Sequence, residues 1–316
     1  MVILTFTKRM QSRRDVLRTA AGGTSVGLLA ALAGCSDETS ADGENGNDDD
    51  DDDGENGGET VDEAGALEYT DWAYDPDELS RDSIVAMEMD ISALLEAKPS
   101  YAEEFRSDLT ERYHESLEAE EIDAVVSAGD AEILAGSFDP GAIIDEMSVS
   151  EAEGYEGFDL YDDEESSVTV ATDGDYLIRS EPSPYQSFDA HEEIELLIDT
   201  NAGDAARLAD ESDFFAQLSG GNADGDMEFV HVQTESVTES ASDDAVVARR
   251  ETATIESAET TIEQRDLYKS EAGIDLDEIE SRYQSADLEL DDISQDGRTV
   301  TIVFQVSTDE YLSTEG

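Results

Sequence analysis

Positive charge is scarce in this chain. Its 316 residues include 17 Lys and Arg against 83 Asp and Glu, which gives a formal net charge of −66 at pH 7. Affinity for phosphate groups requires a basic face, so this balance excludes a protein that holds nucleic acid through its phosphate backbone. We therefore expect no nucleic-acid partner.

Cysteine is almost absent as well. The single cysteine, Cys35, excludes an intramolecular disulfide framework and a zinc site built from several cysteines. Aromatic residues make up only 7% of the chain, but a hydrophobic content of 38% is sufficient for a core. The chain therefore contains a folded region and is not disordered throughout.

The acidic residues are unevenly distributed. Residues 1–34 hold five bases and one acid, residues 36–65 hold 14 acids and no base, and residues 66–316 hold 68 acids and 12 bases. Such an excess strains a compact state by self-repulsion, but molar salt shortens the Debye length to about 3 Å and screens it. The composition resembles that of proteins from extremely halophilic archaea, the alternative being an acidic protein of a mesophile.

The amino terminus carries a targeting pattern. Arg13 and Arg14 precede an uncharged run of small and apolar residues from Thr19 to Ala33, which ends in Gly34-Cys35. This run is shorter than the ~20 residues that a membrane span requires. The segment resembles a twin-arginine signal peptide (1–34) with a lipobox. The resemblance implies export by the twin-arginine translocase, lipid on Cys35, and attachment to the extracytoplasmic face of the cell membrane.

Residues 35–65 are predicted to be the lipidated cysteine followed by a disordered acidic spacer. The segment 36–65 contains six glycines, a run of six aspartates from Asp48 to Asp53, and only three apolar residues. It cannot bury enough apolar surface to offset the entropy of ordering, and its charges repel one another. We expect a tether that holds the folded body away from the membrane.

Two segments partly match a calcium-binding loop. The first begins at Asp49 but lacks the glutamate that the loop requires at position 12. The second, Asn222-x-Asp224-x-Asp226, has Met227 where position 6 requires glycine. Asn222, Asp224 and Asp226 are therefore weak candidates for a metal site, and a polar turn is the favoured interpretation.

Residues 66–316 show the periodicities of an α+β fold with mixed, mainly antiparallel sheets and a few capped amphipathic helices. Alternation predicts a strand over 85–91 with one buried and one solvated face. Turn residues predict hairpins that join 168–171 to 176–178 and 288–290 to 300–306. Further strands are predicted at 122–128, 131–138, 155–161, 227–232, 245–255 and 260–268.

Capping signals predict the helices. Ser100 with Glu103, Asp139 before Pro140, Asp189 and Asp275 are each followed by helical spacing of apolar residues, and 205–218 is predicted to be a further helix. We expect an α+β part at 66–220 and a β-rich second part at 221–316, an arrangement that two ferredoxin-like layers would fit.

Few residues indicate chemistry. The three histidines, His114, His191 and His231, lack metal-ligand spacing, and the sequence contains neither G-x-S-x-G nor a glycine-rich phosphate loop. No cofactor is predicted. With 83 acids in the chain, a pair of catalytic carboxylates cannot be identified from sequence alone.

Two further groups allow two interpretations each. Tyr69, Trp72 and Tyr74 fit either a carbohydrate-stacking strip or, preferentially, a first strand that docks on the core. Arg249 and Arg250, the only basic pair after residue 34, either neutralise neighbouring acids or clamp a ligand carboxylate.

These features favour a lipid-anchored, extracytoplasmic surface protein of a halophile with a non-enzymatic interaction or structural role. A solute-binding lipoprotein of a transporter is an alternative, which a concave pocket between two lobes would support. A carboxylate-dependent secreted hydrolase is another, which a cleft holding two acids about 5–9 Å apart, one of raised pKa, would support. The sequence indicates no particular protein partner.

Overall fold

The computed structural model describes residues 67–113, 117–163, 166–181, 189–218, 225–285 and 288–312, with only the backbone of Glu111 and Glu289. The strands are β1 (Ser83–Asp90), β2 (Ile122–Ala128), β3 (Ala131–Gly136), β4 (Ser150–Glu151), β5 (Asp159–Asp163), β6 (Val168–Thr172), β7 (Tyr176–Ser180), β8 (Met227–Gln233), β9 (Val246–Ile255), β10 (Glu259–Tyr268), β11 (Glu289–Asp296) and β12 (Thr299–Ser307). The α-helices are α1 (Tyr69–Trp72), α2 (Ile91–Ala97), α3 (Tyr101–Arg112), α4 (Pro140–Glu146), α5 (Ala190–Ala202), α6 (Leu208–Glu211), α7 (Asp213–Leu218), α8 (Glu235–Thr238), α9 (Leu276–Ser285) and α10 (Thr308–Leu312).

The strands form one antiparallel sheet in the order β11-β12-β10-β9-β8-β1-β2-β3-β7-β6-β5-β4. The fold class is therefore α+β, as predicted. The expectation of two ferredoxin-like layers is wrong, because β8 pairs with β1 and so joins strands from 66–220 and 221–316 in the same sheet. Sequence patterns do not encode which distant strands become neighbours.

Both faces of the sheet are covered. One core cluster contains apolar residues of α2, α3, α4, α9 and α10 and defines the first face. A second cluster contains those of α1, α5, α6 and α7 and defines the second face. In β1, Met87 and Met89 belong to the first cluster, whereas Ile84 and Ala86 belong to the second. The prediction of a solvated face for this strand is therefore wrong at Ala86, which is buried beneath the helices of the second face.

Both predicted hairpins are present, but the first strand of the second hairpin, predicted at 288–290, runs on to Asp296. β6 and β7 are joined through Gly174 at φ 101°, and β11 and β12 through Gly297 at φ 56°. A side chain at either position would be strained in this left-handed region, so glycine is the residue that the turn favours.

The helices predicted from an aspartate cap begin where the sequence predicts, with the aspartate side chain as the cap. Asp139 accepts a hydrogen bond from Ala142 N at 3.1 Å, and Asp189 accepts one from His191 N at 3.0 Å. Ser100 makes no side-chain cap at the start of α3, so the predicted capping box is not formed. The predicted helix at 205–218 is two short helices, α6 and α7, interrupted at Ser212. Among the described helices, none combines the length and apolar character needed to cross a membrane.

Candidate functional site

Most residues of the predicted sites lie outside the described part of the chain. This applies to Arg13, Arg14, Cys35, Asn222 and Asp224.

The remaining member of the weak metal motif has a role in the fold. Asp226 Oδ2 accepts a hydrogen bond from the backbone N–H of Ile255 at 2.6 Å, which holds the start of β8 against the end of β9. The described residues contain no group of three or more His, Cys, Asp or Glu that could hold a metal ion.

The structure describes two of the three histidines. His114 lies outside the described residues and His231 lies on β8. His191, on α5, has Nδ1 3.5 Å from Asp162 and Nε2 3.7 Å from Glu195. This imidazole therefore lies between a carboxylate of β5 and a carboxylate one turn further along its own helix.

The aromatic group near residue 70 is internal. Tyr69, Trp72 and Tyr74 are 3%, 2% and 0% exposed, and Trp72 packs edge-on against Tyr176 with ring centroids 5.4 Å apart. The segment docks on the core as expected, but as the short helix α1 rather than a strand. Because the rings face the core, a carbohydrate cannot stack on them, and that interpretation is wrong.

The arginine pair neutralises neighbouring acids, as one of its two interpretations predicted. Arg249 binds both oxygens of Asp266, with Nη2–Oδ2 at 2.7 Å. Arg250 binds both oxygens of Glu228, with Nε–Oε1 at 2.8 Å and Nη2–Oε2 at 2.6 Å. Both guanidinium forks are therefore occupied within the chain, which removes the alternative of a ligand clamp.

A recurrent arrangement surrounds three buried or largely buried glutamates, Glu132, Glu193 and Glu228. In each case a tyrosine hydroxyl and an arginine guanidinium donate hydrogen bonds to one carboxylate, and we call this arrangement a Tyr–Glu–Arg triad. Within the described residues the three triads are Tyr69–Glu228–Arg250, Tyr74–Glu193–Arg81 and Tyr113–Glu132–Arg112. Charge-assisted donors of this kind offset the cost of burying a carboxylate.

The triad at Glu193 is the most deeply buried. Glu193 is 0% exposed and accepts hydrogen bonds from Tyr74 Oη at 2.7 Å, Arg81 Nη2 at 2.6 Å and Ser180 Oγ at 2.7 Å. Burial raises the pKa of this carboxyl, and the donors oppose that shift. A Cβ at Gly129, which has φ 66°, would overlap Tyr74 Oη and Glu193 Oε1, so only glycine fits beside this triad.

The triad at Glu228 has a second carboxylate beside it. Glu88 lies directly opposite Glu228 in the β1–β8 register, and its Oε2 accepts the backbone N–H of Tyr69 at 3.1 Å. Desolvation, aided by the charge of Glu228, raises the pKa of Glu88 to about 7, although the Tyr69 N–H opposes the shift. Glu88 is therefore a carboxyl that titrates near neutrality.

A surface cleft of about 420 Å³ lies between the start of α4, strand β5 and the β6–β7 turn. Its lining includes Asp139, Asp159, Asp173 and Tyr161. Asp139 caps α4, and Asp173 Oδ1 accepts two backbone N–H groups of its own turn at 3.0 Å. Two of these three carboxylates therefore already support local backbone.

Sequence reasoning missed the residues that organise this region. Glu88, Glu193 and Glu228 resemble the many other acids of the chain, and no local signal distinguishes them. The one weak signal in the sequence is the scarcity of arginine. Residues 66–316 contain ten arginines and 68 acids, so only a few acids can have an arginine partner.

Comparison with known proteins gave a distant likeness only. No protein-family model matches the chain, and no curated protein matches it at a significant level. Among solved structures, crystal form III of TP0453 has a TM-score of 0.49 and 11% identity, covering 78% of this chain and 96% of that one. Crystal form I of TP0453 has a TM-score of 0.48 and 10% identity, covering 79% and 97%. The functional argument therefore rests on the residues of this chain.

Proposed function

We propose that the chain is a lipid-anchored protein of the extracytoplasmic face of the cell membrane in a halophile, with a non-enzymatic interaction or structural role. The pattern of Arg13 and Arg14, a short apolar run and Cys35 supports export by the twin-arginine translocase followed by lipid attachment. The acidic segment 36–65 then serves as the tether between lipid and body.

The observation that supports the non-enzymatic role is that four buried or largely buried carboxylates are bound by side chains of the chain itself. Glu132, Glu193, Glu228 and Asp266 each accept hydrogen bonds from an arginine, and three of them also accept a tyrosine hydroxyl. A general acid or base must instead meet a substrate. These groups are committed to holding elements together.

The arginines of residues 66–316 are likewise bound within the chain, which supports the same role. Nine of the ten arginines in residues 66–316 form an ion pair with a carboxylate, and Arg298 binds the Gln217 side chain. The acids of residues 66–316 that exceed these cations give the body its negative charge. Such a charge suits a protein that stays soluble and monomeric in brine.

A solute-binding lipoprotein is the second candidate, and the cleft at α4 is the observation that favours it. Its volume of about 420 Å³ lies within the range of small-molecule sites. The hydrolase alternative is less well supported, because Glu88 and Glu193, the carboxyls of raised pKa among the described residues, do not line this cleft.

Membrane fractionation of cells that express Cys35→Ser tests the proposal. Wild-type protein is expected in the membrane fraction with the mass of a lipid on the mature amino terminus. Cys35→Ser is expected in the soluble fraction or as an uncleaved precursor. The matched control is Cys35→Ser with Ser40→Cys, which keeps one thiol but displaces it from the small-residue context. A variant that stayed membrane-bound, processed and lipidated would show that the proposal is wrong.

A further inference from the structure

We propose that residues 67–74 form a force-bearing clamp through which the folded body is held by its tether. We call these residues the anchor segment. They directly follow the acidic segment 36–65 and residue 66, so any pull transmitted along the chain from Cys35 reaches the body here first. The inference rests on the proposed function, because a tether carries force only if its far end is attached.

The anchor segment is inserted in the second core cluster rather than laid on the surface. Leu67 is 5% exposed, Ala73 is 1% exposed, and the three aromatic rings between and after them are equally buried. Burial of large apolar side chains is the main favourable contribution to folding, so each of these side chains resists extraction into water. The first part of the body to feel tension is therefore embedded in its core.

Two of the three triads hold this segment at both ends. Tyr69 Oη donates to Glu228 on β8, and Tyr69 N donates to Glu88 on β1. Tyr74 Oη donates to Glu193 on α5. The strands β1 and β8 are neighbours near the middle of the twelve-stranded sheet, so tension on Tyr69 is passed to central strands rather than to an edge.

The segment is also fastened along its length to residues 206–208. Arg207 Nη1 lies 2.7 Å from Asp71 Oδ1, and Tyr74 forms an antiparallel bridge with Arg207. Leu208 N donates to Ala73 O at 2.8 Å, and Asp75 N donates to Ala206 O at 3.1 Å. Hydrogen bonds on several sides must therefore break together before the segment can leave.

The clamp depends on buried charges for a physical reason. In molar salt, exposed ion pairs lose most of their strength because the Debye length is about 3 Å, whereas buried pairs are screened much less. The side chain of Glu193 is 0% exposed and that of Glu228 is 15% exposed. A fastening built on these two groups keeps its strength in brine.

Single-molecule pulling on the mature chain tests the clamp. Cys35 is the only thiol, so the unlipidated protein can be coupled through it on one side and through a carboxy-terminal tag on the other. We expect the wild type to show no step before the main unfolding event. Release of residues 67–82 ahead of β1 would appear as an early step of about 5 nm, given roughly 3.3 Å per extended residue.

The double variant Tyr69→Phe with Tyr74→Phe removes both hydroxyl donors and leaves the rings in place. We expect the early step to appear in most of its traces. Tyr113→Phe is the matched control, because it removes the same hydroxyl from the third triad, where Tyr113 Oη lies 2.8 Å from Glu132 Oε1. This control is expected to lower the melting temperature without producing the early step.

Two results would overturn the clamp. One is an early step of about 5 nm in the wild type. The other is a double variant that, like Tyr113→Phe, unfolds without this early step. If the double variant does not fold, Arg207→Gln is used in its place with Arg265→Gln as control, and the same outcomes apply. The pulling experiment uses no lipid, so failure of the clamp is distinguishable from failure of lipid attachment, which membrane fractionation detects.

Discussion

Arg249 and Arg250 are neighbours in the chain, but their side chains lie on opposite faces of the sheet and each holds an acid of a different adjacent strand. Arg249 is opposite Asp266 on β10 in the strand register, whereas Arg250 reaches diagonally to Glu228 on β8. Alternation of side chains along a strand produces this split. One dipeptide thus ties β9 to both of its neighbours.

Arg250→Gln should destabilise the body strongly. The change leaves Glu228, whose side chain is 15% exposed, with the Tyr69 hydroxyl but without its two-point cationic partner, and removing one partner of a largely buried ion pair costs about 3 kcal/mol. The matched control is Arg282→Gln, since Arg282 and Glu278 form an exposed helical pair worth about 0.3–0.5 kcal/mol. Chemical denaturation at about 1 M and about 3 M salt should give the same ranking. Equal losses for the two variants would contradict the special role of Arg250.

Replacing Arg13 and Arg14 by lysine should block export. Lysine keeps the charge but lacks the planar guanidinium, so a receptor that recognises the arginine pair by geometry would no longer bind. The control replaces Arg9 and Arg18 by lysine, which leaves the pair intact. Cell fractionation with precursor and mature forms separated by size provides the measurement. Normal secretion of the Arg13→Lys, Arg14→Lys variant would indicate the general secretory route.

The stability of residues 66–316 should rise steeply with salt. These residues carry 68 acids and 12 bases, and their repulsion acts over about 30 Å at 0.01 M salt but only about 3 Å at 1 M. We expect an expanded or unfolded body in dilute buffer and a compact one in molar KCl, measured by circular dichroism and thermal melting. Deleting residues 36–65 should leave the midpoint nearly unchanged. A melting temperature that did not vary with salt would contradict the halophilic assignment.

Glu88→Gln should stabilise the body above neutral pH. The pKa of Glu88 is raised to about 7 when folded, so the folded state binds this proton more tightly than the unfolded state, and stability falls as pH rises from about 4.5 to about 7. Glutamine keeps an oxygen acceptor for Tyr69 N and removes the charge that faces Glu228 across the strands, with Glu68 and Asp90 nearby.

We expect a gain of about 1 kcal/mol at pH 8, allowing for screening of this half-buried group, and almost no gain at pH 5. Glu259→Gln, at an exposed position of β10, is the control for the loss of one carboxylate charge. Thermal melts of both variants across pH at constant high salt give the answer. A gain that was equal at pH 5 and pH 8 would show that the titration of Glu88 is not its cause.

A large part of the fold could be predicted from interactions between residues that are close in the sequence. The turns at Gly174 and Gly297 and the aspartate caps at Asp139 and Asp189 depend on residues two to four positions apart, so their hydrogen bonds can be read along the chain. The α+β class follows from the same periodicities. The targeting pattern around Cys35 is likewise contiguous, and it stays a prediction because it lies outside the described residues.

Only the tertiary structure decided which acids are internal. Glu193 meets Tyr74 across 119 residues and Glu228 meets Tyr69 across 159 residues, and no local pattern relates such positions. The pairing of β8 with β1 places Glu228 opposite Glu88, and the helices of the two core clusters cover both faces of β1, which alternation alone had represented as half solvated. Sequence determined where strands begin and turn. Burial by distant elements determined which charges became structural, because desolvation depends on everything that packs around a group.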